Sequence, residues 1–223
     1  MERAQNLKNP FRAYPATHSI SIIVIVLFHI VGLAGFIIPD LNLLFLSLVP
    51  WHLLLMAAVI IFACNAPGSN LLWFALLIFA MGFAAEYIGV HTGWLFGSYT
   101  YGETLGIKLF HIPLMIGVNW FLLIYSTGVF VQQNQIKNML LRIVAGATIM
   151  VMLDILIEPV ATSFDYWHWA GDSIPVKNYV SWFILSALML FIFEKFKLRS
   201  QSRVAPTLLI MQFVFFMVLG ILG

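Results

Sequence analysis

The segment MLLRIVAGATIMVMLDILIEPV, residues 139–160, is long and apolar enough to cross a lipid bilayer as a helix, and this property determines the fold class. Two carboxylic acids, Asp154 and Glu158, interrupt its second half. A third acid, Glu86, lies in an equally apolar segment earlier in the chain. An ionised acid in hydrocarbon is energetically expensive, so each acid inside a membrane segment suggests a functional site.

The composition of the whole chain supports the same environment. Of its 223 residues, 62% are hydrophobic and 9% are charged, and the mean hydropathy is +0.98. About 25% of residues are charged in a soluble globular domain, so this chain cannot cover a surface that faces water. We predict a single integral-membrane domain over residues 1–223, in contact with membrane lipid. The net charge of +2 indicates no nucleic-acid partner.

Seven segments are apolar enough for membrane-spanning helices, each of which requires about 20 residues. The predicted fold is therefore an all-α, polytopic membrane helix bundle. The first segment is too long for a cleavable signal peptide, and no small-residue cleavage site follows it. The predicted spans are residues 19–38, 41–63, 70–90, 110–131, 139–160, 179–196 and 206–222.

The distribution of basic residues predicts the orientation of the bundle. Lys and Arg accumulate in cytoplasmic loops, and nine of the eleven fall on one side of the predicted spans. The N-terminus is then cytoplasmic, the C-terminus is external, and the chain is a multi-pass protein of the cell membrane. The nine residues are Arg3, Lys8, Arg12, Lys137, Arg142, Lys195, Lys197, Arg199 and Arg203, against Lys108 and Lys177 on the external side.

The three acids are predicted to lie near the external ends of their helices. Asp154 and Glu158 are four residues apart and share one helix face, so two charges there would repel and at least one acid is expected to keep its proton. At a rise of about 1.5 Å per residue, Glu158 lies about 3 Å, Glu86 about 6 Å and Asp154 about 9 Å below that end. Pro159 is expected to end or kink the helix. The carboxyl groups are therefore predicted to meet as catalytic acids, the alternative being hydrogen bonding that only fixes helix packing.

The two long external connections each follow an acid-bearing helix and are dense in aromatic residues. One covers residues 91–103 and the other covers residues 161–177. They are predicted either to form a pair of lids over one site or to belong to the interfacial aromatic belt of a membrane protein. The interleaved glycines and the adjacent acids favour the lids.

Several polar residues outside the acids are also candidates. His91 and His111 lie at the external boundary, where they can relay protons or orient an acid. Asn119 lies about 12 Å below the external end of the fourth helix, where it can hydrogen-bond an acid or a water, or simply join two helices. His29 and His52 lie near the middle of the membrane and are interpreted as packing residues.

Motifs for metals and nucleotides are absent from the sequence. The six histidines never occur three or four residues apart, so the clusters of membrane di-iron enzymes are missing. No GxGxxG or P-loop motif opens a helix. Asp154 and Glu158 lack the second acidic cluster and the basic residues of a magnesium–diphosphate site, and Cys64 is the only cysteine. We therefore predict that the protein uses no metal and no cofactor.

The predicted site suits acid catalysis on an alkene. A neutral carboxylic acid in an apolar pocket can protonate a double bond to give a tertiary carbocation, which aromatic faces stabilise. An ionised carboxylate can then orient a water molecule and accept its proton as the water adds. An isoprenoid drawn from the bilayer fits such a pocket, and water reaches a shallow site from the interface.

Three stretches of the sequence resemble the integral-membrane carotenoid biosynthesis family of CruF-type hydratases. They are EYIGVHTGWLFGSYTY (residues 86–101), the segment from HIPL to NW (residues 111–120) and LDILIEPVA (residues 153–161). The resemblance implies cofactor-independent addition of water across the terminal double bond of an acyclic, ψ-type carotenoid end group, which gives a tertiary alcohol. It implies a substrate of the γ-carotene or C50 bacterioruberin type, and contact with other carotenoid-pathway enzymes is a further expectation.

Charge and depth suggest a role for each candidate residue. Glu86 or Asp154 is the predicted proton donor, and Glu158 is the partner that orients the water and accepts its proton. Asp165 and His91 are second choices. A carotenoid end-group cyclase, which excludes water, and a proton-coupled membrane carrier remain as alternatives. The predicted substrate-binding residues are Trp94, Tyr99, Tyr101, His111, Asn119 and Trp167.

Overall fold

Seven long helices make up most of the computed structural model, which describes residues 16–64, 69–134, 136–171, 173–198 and 203–222. In those residues, all seven helices are long and apolar enough to cross a membrane. The prediction of an all-α, polytopic bundle with seven spans is therefore confirmed. The helices are α1 (Ala16–Ile37), α2 (Pro39–Ala63), α3 (Ser69–Thr92), α4 (Leu114–Gln133), α5 (Met139–Ser163), α6 (Val176–Phe196) and α7 (Val204–Leu222).

Two further predictions of the architecture stay predictions. One is the single domain over residues 1–223, and the other is the orientation of the two termini. Four of the basic residues on which the orientation rests lie outside the described residues, and they are Arg3, Lys8, Arg12 and Arg199.

Two helices depart from the predicted boundaries for local reasons. Helix α4 begins at Leu114 instead of residue 110, because Phe110 and His111 adopt the left-handed backbone conformation, with φ of 53° and 67°. Pro159 does not end α5, which continues to Ser163. A proline so close to a helix end removes only one backbone hydrogen bond, and the hydroxyl of Ser163 donates to the Pro159 carbonyl oxygen at 2.8 Å.

Helix α4 lies at the centre of the bundle. It packs against α2, α3, α5, α6 and α7, and it is the most buried of the seven helices. The N-terminal hairpin of α1 and α2 packs beside α7, and α5 packs against α6. The central position of α4 explains why its residues contribute to the walls of every cavity described below.

Four short strands cover the end of the bundle that carries residues 93–113, 164–171 and 173–175, which we call the loop end. Strands β2 (Lys108–Leu109) and β3 (Ile112–Pro113) form a small hairpin within the first connection. Strands β1 (Tyr99–Tyr101) and β4 (Trp167–Trp169) come from different connections and pair in an antiparallel ladder. This β1–β4 pair, the aromatic ribbon, joins the segment after α3 to the segment after α5.

Candidate active site

The aromatic ribbon presents four rings on one of its faces. Alternate residues of a strand point to the same side. In the ladder, Tyr99 lies opposite Trp169, and Tyr101 lies opposite Trp167. Between them, Thr100 lies opposite His168, and both are exposed. The face opposite to Thr100 and His168 carries the four rings, which are those of Tyr99, Tyr101, Trp167 and Trp169.

Glu86 on α3 accepts hydrogen bonds from three aromatic side chains. The hydroxyls of Tyr99 and Tyr101 donate to its Oε2 atom at 2.5 Å and 2.7 Å. The indole N–H of Trp120, on α4, donates to Oε1 at 3.2 Å. Only 4% of the Glu86 surface is exposed. The sequence-predicted acid is thus fully enclosed, with a donor on each carboxylate oxygen.

Two glycines on the Glu86 face of α3 make room for these donors. Gly82 and Gly89 lie four residues before and three residues after Glu86, so the three share one face. A Cβ atom at Gly82 would lie 2.5 Å from the ring of Trp120, and one at Gly89 would lie 2.7 Å from the hydroxyl of Tyr99. Any larger residue at either position would displace a ring from the acid.

Glu158 on α5 is held in the same manner, but by different donors. The indole N–H groups of Trp167 and Trp169 donate to its Oε2 atom at 3.1 Å and 2.8 Å. The side-chain amide of Asn178, in the first turn of α6, donates to Oε1 at 3.2 Å and also to Oδ2 of Asp154 at 2.8 Å. Asn178 therefore links the two acids of α5.

Asp154 is the most deeply buried of the three acids. It has no exposed surface, and its Oδ1 atom has no hydrogen-bond partner among the described residues. Helix α5 places it four residues before Glu158 on the same face, one turn farther from the loop end. Asp154 is therefore connected to Glu158 only through the shared amide of Asn178 in the hydrogen bonds described above.

Glu86 and Glu158 line one small cavity of about 20 Å³. Aromatic rings make up most of its wall, and the ring of Trp182 in this wall stacks on Trp120 with ring centroids 4.5 Å apart. We call it the acid pocket, and it is lined by Glu86, Phe96, Tyr99, Tyr101, Ile116, Glu158, Trp167, Trp169, Asn178 and Trp182. The structure thus brings together Glu86, Glu158 and, through Asn178, Asp154.

A larger cavity of about 330 Å³ adjoins the acid pocket. Ile116 and Trp167 line both spaces, and Asn119 lines the larger one. Most of its wall is apolar and comes from α1, α2, α4 and α7. We call it the apolar cavity.

The phenols of the ribbon are held in their protonated form. Burial, followed by the charge of the adjacent Glu86, raises the pKa of Tyr99 well above its ordinary value. The same two causes raise the pKa of Tyr101. Both hydroxyls therefore keep a proton that they can share with Glu86.

Besides Asp154, four of the sequence-predicted residues line neither cavity. Trp94 is 70% exposed, and His111 is exposed. The Nε2 atom of His91, also exposed, lies 3.1 Å from the carbonyl oxygen of Phe110. The fourth residue is Asp165.

Asp165, in the connection after α5, forms a hydrogen bond with the connection after α3. Its Oδ2 atom accepts the backbone N–H of Glu103 at 2.8 Å, and its Oδ1 atom is 2.7 Å from Nε2 of His168. The Glu103 amide, and then His168, lower the pKa of Asp165 below its ordinary value. Asp165 is thus held as a carboxylate at the surface.

Several residues that contact the acids or line the acid pocket were not predicted from the sequence. Trp120, Trp169 and Trp182 were hidden by the general abundance of tryptophan, and Asn178 fell just before the predicted start of its helix at residue 179. A buried polar residue in the first turn of a span, facing the acids of a neighbouring span, was the signal for Asn178. No group of three or more His, Cys, Asp or Glu side chains in the described residues is arranged to hold a metal ion.

Comparisons with known proteins identify the family of the chain. A family model described as "carotenoid biosynthesis protein" matches residues 48–222, which include all three acids and both strands of the ribbon. A bisanhydrobacterioruberin hydratase of Haloarcula japonica is 25% identical over 146 residues, which cover 60% of this chain. The matched part spans about half of that relative, 49% of its length. No solved structure matches the chain.

Proposed function

The chain belongs to the carotenoid biosynthesis protein family, and from this membership we propose that it is a carotenoid hydratase of the cell membrane. It adds water across the terminal double bond of an acyclic, ψ-type end group and forms a tertiary alcohol. The relative from Haloarcula japonica, a hydratase by its name, supports this reaction class. The substrate is a carotenoid with an acyclic end group, of the γ-carotene or C50 bacterioruberin type, taken up from the bilayer.

The observation that carries the proposal is the difference between the donors around the two pocket acids. An indole N–H can only donate a hydrogen bond, whereas a phenol can donate or accept. Glu158, facing two indoles, is therefore suited to remain an acceptor and to act as the base. Two phenol hydroxyls lie at the Oε2 atom of Glu86. When Oε2 carries a proton, a phenol oxygen can accept a hydrogen bond from it, so Glu86 is suited to be the neutral acid.

The reaction then needs only these two acids and a water molecule. The neutral carboxylic acid of Glu86 gives its proton to the inner CH carbon of the double bond, and the outer carbon, which carries two methyl groups, becomes a tertiary carbocation. The oxygen of water bonds to that carbon while the Glu158 carboxylate accepts a proton from the water. Return of this proton from Glu158 to Glu86 restores the starting state, so the net change is addition of one water.

The aromatic wall supports the charged intermediate. Rings of Tyr99, Tyr101 and Trp167 face the pocket in which the cation forms, and the negative faces of such rings attract cations. The small volume of the pocket, about 20 Å³, also limits the number of water molecules near the cation. One neutral and one ionised acid avoid the repulsion that two carboxylates would have in the same pocket.

Asp154 acts in this scheme as a positioning residue. It lines neither cavity, and it shares the Asn178 amide with Glu158. Its Oδ2 atom orients the amide so that the second N–H of Asn178 is directed at Glu158. Loss of Asp154 is expected to lower activity by releasing Asn178.

Heavy-oxygen labelling tests the proposed reaction. Cells that make an acyclic carotenoid are given this chain in medium containing H₂¹⁸O, and their pigments are analysed by mass spectrometry. We expect a more polar pigment, heavier by one water and carrying the label. An isomer of unchanged mass would overturn hydration in favour of an end-group cyclase.

A proton-coupled carrier is the second alternative to the proposed hydratase. A carrier needs polar groups that reach both membrane faces, whereas the three acids here lie within three turns of the loop end. Proton flux through the purified protein in liposomes, abolished by Glu86→Gln without any carotenoid present, would favour the carrier.

A further inference from the structure

A cleft of about 330 Å³ lies at the loop end, beside the C-terminal end of α5. Three side chains that form hydrogen bonds line it, and they are Thr162, His168 and Ser173. His168 and Ser173 are exposed, so the cleft is in contact with solvent. Its volume is enough for several water molecules. We call it the polar cleft.

The polar side chains of the cleft can still bind water after their contacts with the protein are counted. Nε2 of His168 is 2.7 Å from Oδ1 of Asp165, which as a carboxylate only accepts, so Nε2 carries a proton and Nδ1 of a neutral ring is an acceptor. The hydroxyl of Thr162 donates to the backbone oxygens of Glu158 and Pro159 at 3.2 Å. This donation leaves the lone pairs of the hydroxyl oxygen for water.

The indole of Trp169 separates the polar cleft from the acid pocket, because it lines both spaces. Its N–H donates to Oε2 of Glu158 at 2.8 Å. Its six-membered ring lies at Gly97, where a Cβ atom would be 3.3 Å from Cζ3 of the indole. A single side chain thus stands between solvent at the loop end and the proposed base.

Trp167 occupies the corresponding position on the other side of the acid pocket. It lines both the acid pocket and the apolar cavity, and its N–H donates to the same Oε2 atom of Glu158 at 3.1 Å. The two indoles therefore place Glu158 between a space with a mostly apolar wall and a space with polar side chains. A mostly apolar cavity disfavours water, whereas the polar cleft can hold it.

We propose that the water molecule that adds to the substrate enters the acid pocket from the polar cleft, past the indole of Trp169. The inference rests on the proposed function, since the water is taken to be the second substrate of the hydratase. The water then reaches Glu158 from the side away from the apolar cavity. Separate routes allow water to reach the cation while the path of the hydrocarbon stays dry.

Radiolytic footprinting tests this route with water as the only probe. A short X-ray pulse forms hydroxyl radicals from water, and the radicals oxidise the side chains beside it. The full chain with Cys64→Ala and Ser173→Cys is purified in lipid nanodiscs, and its new thiol is coupled to a bulky fluorescein methanethiosulfonate. We expect Tyr99 and Tyr101, in the acid pocket, to be oxidised before coupling and to lose this oxidation once the label fills the cleft.

Turnover of the same samples gives a second readout, with the carotenoid that is hydrated in the heavy-oxygen experiment. We expect the label to lower kcat by about tenfold or more, which corresponds to a barrier higher by about 1.4 kcal/mol or more. KM should not change, because the carotenoid comes from the bilayer and does not pass the cleft. Reduction of the disulfide removes the label and should restore both oxidation and kcat, which separates blocking from misfolding.

Two controls separate the cleft from the label itself. Methyl methanethiosulfonate adds only a small group to the cysteine at position 173 and leaves most of the cleft open. Glu103→Cys carries the fluorescein label outside the cleft, since the Glu103 side chain is 86% exposed and does not line it. Both samples should behave as the uncoupled protein does.

Four results would overturn the inference. They are no oxidation of either tyrosine before coupling, undiminished oxidation or kcat after coupling at position 173, an equal loss with the label at position 103, and a rise in KM at constant kcat. The absence of alcohol from every sample, with oxidation still lost on coupling, would overturn the proposed hydratase and leave the water route standing.

Discussion

Replacement of Glu86 by glutamine keeps the shape of the side chain and removes its acid. Glutamine at this position cannot protonate a double bond, so we expect Glu86→Gln to lower the rate of hydration by a factor of about 10² to 10⁴. The measurement is the amount of alcohol formed by cells that express equal amounts of wild type and variant. Glu103→Gln is the control, since the Glu103 side chain is 86% exposed at the loop end.

Full activity of Glu86→Gln would remove Glu86 as the proton donor and leave the family membership intact. We expect the variant to fold, because the donors Tyr99 and Tyr101 remain in place and glutamine offers them an amide oxygen. An unchanged elution volume in detergent, compared with the wild type, provides that check.

The indole groups of the ribbon make a second test at the scale of a residue. Trp169→Phe keeps an aromatic ring but removes an N–H donor from Glu158. A hydrogen bond to a charged group contributes about 1.5–3 kcal/mol, so we expect the rate to fall by about tenfold or more. Trp73→Phe is the control, because Trp73 is 65% exposed on the outer surface of α3. Equal loss in both variants would mean that the indole hydrogen bond does not matter.

Individual residues differ in how far the sequence could predict their place. Glu86 and Glu158 could be found because an acid stands out in an apolar segment. Trp120 could not be found, since a tryptophan in a membrane helix is equally compatible with lipid contact. Its role depends on the absence of a side chain at Gly82 on another helix, and a single sequence does not show which helices are neighbours.

The pairing of the aromatic ribbon depends on close backbone contact at Gly102. A Cβ atom there would lie 2.2 Å from the backbone oxygen of Asp165. We expect Gly102→Ala to lower stability by about 1–3 kcal/mol through this overlap, and to reduce activity because the ribbon carries donors for both acids. Gly171→Ala is the matched control, as nothing lies within 4 Å of Gly171.

Thermal unfolding in detergent and hydration by intact cells measure the two effects of Gly102→Ala. A variant that retains wild-type stability and activity would show that the ribbon tolerates a shift of its strands.

The helices could be predicted as elements, whereas the ribbon could not. Hydropathy detects any apolar segment of sufficient length, so the seven spans follow directly from composition. It cannot distinguish the hairpin around Phe110 from the start of α4, because both are apolar. The pairing of β1 with β4 joins residues more than sixty positions apart, and nothing within either loop of the sequence specifies the other as its partner.

The orientation of the whole molecule can be tested with single cysteines. In a Cys64→Ala background, Ser173→Cys at the loop end should react with a membrane-impermeant maleimide in intact cells, because the basic side is predicted to be cytoplasmic. Lys137→Cys, at the other end of the bundle, should react only after permeabilisation. The reverse pattern would place the acids near the cytoplasmic face and would contradict the predicted orientation.

The arrangement of the helices around α4 was outside the reach of the sequence alone. Predicted depth was enough to suggest that the three acids meet, because all lie near the same end. Depth does not specify which helices are neighbours, and so the apolar cavity between α1, α2, α4 and α7 was not foreseen. The polar side chain of Asn119 was predicted to bind substrate, and it lies in the wall of that cavity.

The connection between α4 and α5 divides the chain into two parts that each hold half of the site. The first part supplies Glu86 with all three of its donors, and the second supplies Glu158 with all three of its own. A gene cut at residue 137 would therefore encode two inactive polypeptides. Co-expressed, they should reassemble by strand pairing and helix contact and regain the reaction, as complementing fragments.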